Sequence, residues 1–283
     1  MNAIVRKSKL VTEPTATFEK ITPDLAEFYL LSNTNNRPVR IHHVEALARD
    51  MKGGSYQVNG DAIRFSSDGA LLDGQHRLKA IVMSGVTLNI LVIRGLAPET
   101  MKTIDAGVKR TTGDRFALSG VKNGNILAAT LNVMNGLAAG AEKRTLTASE
   151  AYKALELHPE VELSVAAANG MKIVAASYLA ALHYVGHFTG YGAQADEFVQ
   201  IFKTGYADSQ YDPARVARER MISIRSNGQA TSRAEQLEIL TSAWENKRLG
   251  REVKVSRARS GENRMRIHKW DNDAMWGRQG TFI

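Results

Sequence analysis

The chain contains no cysteine, and that absence removes disulfides, thiolate zinc sites and cysteine nucleophiles together. It fits a reducing compartment. A signal-peptide core is also missing. The opening MNAIVRKSKLVTEPTA is polar and broken by charges, so the expected location is the cytoplasm. No apolar run has the make-up of a membrane span, and no membrane partner is expected. The longest run, Val165 to Phe188, contains Asn169, Lys172 and two histidines and is rich in Ala and Gly, as a buried helix is. Neither a Walker A sequence nor the dinucleotide glycine fingerprint occurs. His183 and His187 have the i, i+4 spacing of a helical zinc pair, but the glutamate of an HEXXH motif is missing. They read as a packed helix face, and no metal site is assigned. His42-His43 at a helix start reads as structural, and Trp244, Trp270 and Trp276 are too scattered for a base-stacking platform.

What is present is an ordinary globular composition, 43% apolar and 23% charged over 283 residues, enough for one large domain or two smaller ones. The net charge of +8 is unevenly placed. Residues 1–122 carry 17 basic and 12 acidic side chains, residues 123–244 carry 10 and 12, and residues 245–283 carry 10 and 5. Basic ends around a near-neutral middle suit a polyanionic partner.

Residues 1–16 read as a flexible lead-in. From Ile21, ITPDLAEFYLLSN predicts a short helix with Thr22 as N-cap, Pro23 at the first helical position, and Leu25, Phe28, Leu30 and Leu31 on one side. A turn at Asn36-Arg37-Pro38 leads to a helix over 42–52 with Val44, Leu47 and Met51 inward, stopping at Gly53-Gly54. AIRFS and ALLD flank the turn Ser67-Asp68-Gly69 as a hairpin. A helix over 75–84 ends at Gly85, and TLNILVIRG is a further strand. Residues 17–122 are therefore expected to form an α+β domain. From Asn123 the pattern is helical, with helices over 125–138, 147–157, 170–188, 193–204, 213–226 and 232–246 and a capping box at Thr147-Ala-Ser-Glu150. Residues 123–247 form a helical domain. Residues 248–283 form a basic tail, expected as an exposed β-hairpin about Ser260-Gly261.

The informative segment is ALLDGQHRLKA. An apolar strand runs into Asp73-Gly74 and a helix begins at Gln75. Backbone N–H groups of Gln75, His76 and Arg77 then lie at a helix N-terminus, where unpaired donors and the helix dipole favour an anion. Gly74 allows close approach, Arg77 can fork onto phosphate oxygens, and His76 adds a donor. A second polar loop, TIDAGVKRTTGD, contributes Asp105, Lys109, Arg110 and Thr111, with Thr111 and Asp114 placed to cap the next helix.

Residues 71–80 resemble the GxxR-type motif of the ParB/sulfiredoxin superfamily in its DGQHR form. The order Asn36-Arg37-Pro38, helix, strands, DGQHR, helix, strand agrees with that family. A V-x-R-G-L strand end, a T-x-D-x-G-x-x-R-T loop and a helical C-terminal half are also found in ParB-like proteins of bacteriophages and mobile elements. The resemblance implies a ParB/sulfiredoxin-like N-terminal fold, a nucleotide such as ATP or CTP with Mg as the bound species, phosphate contacts from Gly74, His76 and Arg77, and, for a phage protein, the bacterial host cytoplasm. Sulfiredoxins carry a reactive cysteine where this chain has Gln75, which excludes sulfinic acid reduction. Partition proteins carry a helix-turn-helix after this domain, and residues 123–246 show none.

Two functions are consistent with these residues. One is an NTPase, phosphoryl transferase or nuclease linked to DNA, with Asp73 or Asp105 handling Mg or a proton beside His76 and Arg77. The other is a non-catalytic DNA-associated regulator or anti-defence binding protein, for which Lys254, Arg257, Arg259, Arg264, Arg266 and Lys269 would supply backbone contacts to nucleic acid.

Overall fold

The computed structural model describes residues 13–34, 36–104, 110–140, 145–256 and 265–277. The chain is α+β and divides into two compact units, Met1–Lys109 and Arg110–Ile283.

The first unit runs β1 (Thr15–Ile21), α1 (Pro23–Leu30), α2 (Ile41–Lys52), β2 (Ile63–Ser66), β3 (Leu71–Asp73), α3 (Gln75–Ser84) and β4 (Leu88–Leu96), then a 3-10 turn over Pro98–Lys102. The four strands form one mixed sheet in the order β1-β4-β2-β3, with β4 antiparallel to β1 and parallel to β2. α3 packs against α1 and α2. Val44, Met51, Leu78 and Ile81 join Ile63, Ile90 and Val92 of the central strands in one buried core. Full burial of each such side chain is worth about 1.5–3 kcal/mol.

Thr22 accepts the N–H of Leu25 at 3.2 Å and Pro23 opens α1, as its sequence predicts. The apolar side of α1 is assigned differently, however. Phe28 is 64% and Leu31 78% exposed, while Ala26 is buried. β1 also falls partly within what reads as a lead-in. Six of its seven residues are exposed or half-exposed, and pairing with β4 from Thr15↔Arg94 to Ile21↔Leu88 holds it in place. Glu19 reinforces that pairing, because it binds the Arg94 guanidinium and accepts the Tyr29 hydroxyl at 2.6 Å. The Arg94 guanidinium, more than the Tyr29 hydroxyl, holds the Glu19 carboxyl below its usual range against the opposing effect of burial.

The second unit is helical among its described residues. α4 (Thr112–Leu118), α5 (Gly124–Ala139), α6 (Ala148–Leu157) and α7 (Val161–Ala168) precede α8 (Ala176–Phe188). α9 (Gly192–Thr204), α10 (Pro213–Ser226), α11 (Arg233–Arg248) and α12 (Asn272–Trp276) follow. α8 is buried from Ser177 to Gly186 and packs on α5, α7, α9 and α11, which accounts for the long apolar run around it. The helix expected over 170–188 begins instead at Ala176: Asn169 leaves α7 in an extended conformation, Gly170 takes a left-handed φ of 81°, and Ala175, also extended, stands at the start of α8.

The tail departs most from expectation. Residues 249–256 form no strand, and residues 265–277 hold a single antiparallel bridge, Ile267↔Trp270, followed by α12. Met265, Ile267, Trp270 and Met275 are buried in the helical core. Residues 257–264, which hold the expected turn, lie outside the described residues.

His158 ties this tail down. Its Nε2 lies 2.9 Å from the Met275 carbonyl and its Nδ1 2.8 Å from the Tyr184 hydroxyl. A carbonyl only accepts, so Nε2 carries the proton and Nδ1 accepts from Tyr184. Burial lowers the His158 pKa below 6.5, opposed by the Met275 bond and Glu160, and burial pushes the Tyr184 phenol up to about 12. Because the folded pKa is depressed, the unfolded chain takes the proton first, and the stability present above 6.5 is lost as pH falls. The unfolding midpoint is therefore expected to drop between about pH 7 and about pH 5, and His158→Gln to flatten part of that slope. Equal slopes in both proteins would rule out this titration.

Candidate functional site

The site begins at Gly74, which stands between β3 and α3 with φ 107° and no side-chain cap. A Cβ there would lie 3.1 Å from Ile63 Cγ1 and 3.2 Å from its Cα, so both the backbone angle and the adjacent strand call for glycine. α3 starts at Gln75 as the sequence predicts. The N–H groups of Gln75 and Arg77 meet no acceptor among the described residues, which leaves the positive end of the helix dipole available.

Asp73 is the anion already present at this turn. Its Oδ1 accepts the Gly74 N–H at 2.7 Å, and its Oδ2 accepts Arg64 Nη1 at 2.6 Å and Arg77 Nη2 at 2.9 Å. Arg77 also donates to the Ala62 carbonyl at 2.7 Å and pairs with Asp61 at 3.4 Å. With its side chain 12% exposed, Arg77 is an internal strut joining the approach to β2 with the start of α3. Beside it, burial raises the Tyr56 phenol above its usual pKa, while the Arg77 charge pulls it back. Two arginines thus face two aspartates, and this part of the site carries little net charge.

Gln75 and His76 are buried, and both side chains turn toward residues 33–40. Gln75 donates through Nε2 to the Arg37 carbonyl at 2.9 Å and accepts from Asn33 at 3.2 Å. The Arg40 N–H donates to His76 Nε2 at 3.1 Å, which makes this imidazole neutral with its proton on Nδ1. Asn36 donates to the Leu71 carbonyl at 2.6 Å. Residues 36–40 are thereby fastened at the helix start. Their two arginines, Arg37 and Arg40, are exposed and form no ion pair among the described residues. The sequence by itself presents this segment as a turn and assigns no role to Arg37, Arg40, Arg64 or Asp61. The one available signal is the pair of arginines flanking a proline ahead of the DGQHR turn.

The other expected site residues are more dispersed. Asp105 and Lys109 lie outside the described residues, and Arg110 is exposed. Thr111 caps α4: its Oγ accepts the Asp114 N–H at 3.1 Å, and Asp114 Oδ2 accepts the Thr111 N–H at 2.8 Å and hydroxyl at 2.7 Å. Those bonds, first the one from the Thr111 backbone, hold the Asp114 carboxyl below its usual range. In the tail, Arg257, Arg259 and Arg264 lie outside the described residues, while Lys254, Arg266 and Lys269 are exposed. Around Trp270 the cations point outward from the residues that bury.

No protein-family model, no curated protein and no solved structure matches this chain.

Proposed function

We propose that the first unit is a phosphate-binding module for a nucleotide, and that it holds the phosphates between the start of α3 and the Arg37 and Arg40 side chains. The observation that carries this reading is the fastening of an arginine-bearing segment at a helix N-terminus by buried Gln75 and His76. Arg37 and Arg40 are exposed, form no ion pair among the described residues, and sit on a backbone bonded to the Gln75 and His76 side chains, a setting that suits an anion at the helix start. The likeness of LLDGQHRL to the ParB/sulfiredoxin turn agrees with it and implies ATP or CTP as the ligand. In this reading Gln75 and His76 act as positioning residues.

Binding is favoured over turnover because the polar groups a reaction would need are engaged elsewhere. Asp73 already accepts three hydrogen bonds, from Gly74, Arg64 and Arg77. A carboxylate so held does not fit a Mg ligand or a general base, so Mg would enter with the nucleotide's own phosphates. The exposed Lys254, Arg266 and Lys269 suit a second contact to a DNA backbone.

Calorimetric titration of Mg-ATP, Mg-CTP and Mg-GTP into the full chain tests the proposal, with tripolyphosphate and a duplex oligonucleotide as further arms. At least one nucleotide is expected to bind in the micromolar to millimolar range. The double variant Arg37→Ala/Arg40→Ala should weaken it about tenfold or more, roughly 1.4 kcal/mol, without unfolding the chain. Absence of binding, or equal affinity in the variant, would sink the proposal. Nucleotide turnover would replace the module by an enzyme.

A further inference from the structure

The sequence presents His183 and His187 as a packed helix face, but in the fold they share a partner that their spacing does not reveal. Both lie on one side of α8, one turn apart, and Asp196 reaches them from the first turns of α9. His183 Nε2 and His187 Nε2 each stand 2.8 Å from the same oxygen, Asp196 Oδ1. The three ligand atoms lie within 4.8 Å of one another. The rings are tilted, with centroids 4.6 Å apart, so the nitrogens converge rather than stack.

We propose that His183, His187 and Asp196 form a binding site for a divalent first-row transition cation, with Zn as the best fit. Two imidazoles and one carboxylate without sulfur suit Zn, Co or Ni, whereas Mg and Ca prefer all-oxygen shells. Bond lengths of about 2.1 Å to each ligand place a cation among atoms this close with only small side-chain adjustments. Three protein ligands leave further coordination positions for water, and those positions face solvent, since His187 is 45% and Asp196 61% exposed.

Three surrounding features support a built site. Ser164 Oγ lies 2.8 Å from His183 Nδ1 in a buried position, and so holds the ring with Nε2 turned toward Asp196. Metal-bound histidines are commonly oriented by such a bond on the other nitrogen. Gly192 leaves room for the His187 ring, because a Cβ there would come within 2.8 Å of His187 Nδ1. Gly186 lets α9 approach α8, as its Cβ would fall 2.6 Å from the Ala195 side chain. Asp196 follows Ala195 directly, so this close approach brings the carboxylate to the histidines.

The test uses the untagged full chain, freed of metal by chelation and titrated with Zn by calorimetry and with Co by visible absorption. One equivalent per chain is expected, with Co giving the ligand-field bands of an imidazole-bound ion and Zn raising the thermal midpoint. His187→Ala and Asp196→Ala remove side chains that are about half exposed, so the fold should survive, as circular dichroism would show. Each is expected to weaken binding by roughly a hundredfold or more, since loss of an outer-shell partner alone costs about 10–100-fold. Zn affinity and Co spectra unchanged between wild type and the His187→Ala/Asp196→Ala double variant would overturn the proposal. The triad would then be a hydrogen-bonded tether between α8 and α9.

Discussion

Replacement of Trp270 by alanine is expected to cost the helical unit about 4 kcal/mol, the range for emptying a large buried aromatic site. The indole is 2% exposed, and its ring centroid lies 5.2 Å from Phe188, 5.6 Å from His158 and 6.1 Å from Tyr184. Its Nε1–H donates to the Met134 carbonyl at 2.9 Å, so truncation also removes a buried hydrogen bond. Trp276, which is half-buried and donates to Asn135 at 3.2 Å, supplies the comparison, with Trp276→Ala expected to lose clearly less. Denaturant unfolding followed by circular dichroism reads both. A Trp270→Ala loss below about 1 kcal/mol would be that of a surface residue and would detach the tail from the core.

Arg77→Ala is expected to destabilise the first unit by about 2 kcal/mol, because the largely buried Asp73 carboxylate loses one of its two cationic partners and a hydrogen bond to a charged group is worth about 1.5–3 kcal/mol. Asp73 would keep only Arg64 and the Gly74 N–H, and the Ala62 carbonyl would lose its donor. Arg77→Lys should recover only part of the loss, since an ammonium cannot reproduce the fork that spans Asp73, Asp61 and Ala62. Urea unfolding of the three proteins measures this. A stable Arg77→Ala chain that had lost nucleotide affinity would make Arg77 a ligand contact and contradict its role as a strut.

Elements announced by local chemistry are legible in the sequence itself. Gly85 closes α3 with a φ of 70°, the Thr147–Glu150 capping box opens α6, and the Ser67-Asp68-Gly69 turn joins β2 to β3. Elements that depend on distant partners are not. β1 shows little apolar alternation, because an edge strand with six exposed or half-exposed residues is specified by β4, some seventy residues away in sequence, rather than by its own pattern. The alternation Met265, Ile267 in the tail is visible, yet an exposed hairpin and a strap packed on helices share that pattern, and only the core beneath distinguishes them.

The candidate site divides in the same way. Gly74 marks the strand-to-helix turn, since few residues tolerate that φ. The directions of Gln75 and His76 cannot be read from the motif, because their partners Arg37 and Arg40 lie 38 and 36 residues upstream. Likewise, i, i+4 spacing exposes two histidines but not Asp196, which a separate helix carries to them.

Amide chemical-shift mapping of the full chain with added Mg-nucleotide would locate the phosphates. Saturable shifts at the Gln75 and Arg77 amides, together with the Arg37 and Arg40 resonances, are expected, and in the Arg37→Ala/Arg40→Ala variant the Gln75 and Arg77 shifts should need about tenfold more nucleotide, or more, to reach half-saturation. Saturable binding that leaves the start of α3 unperturbed would contradict a phosphate site there.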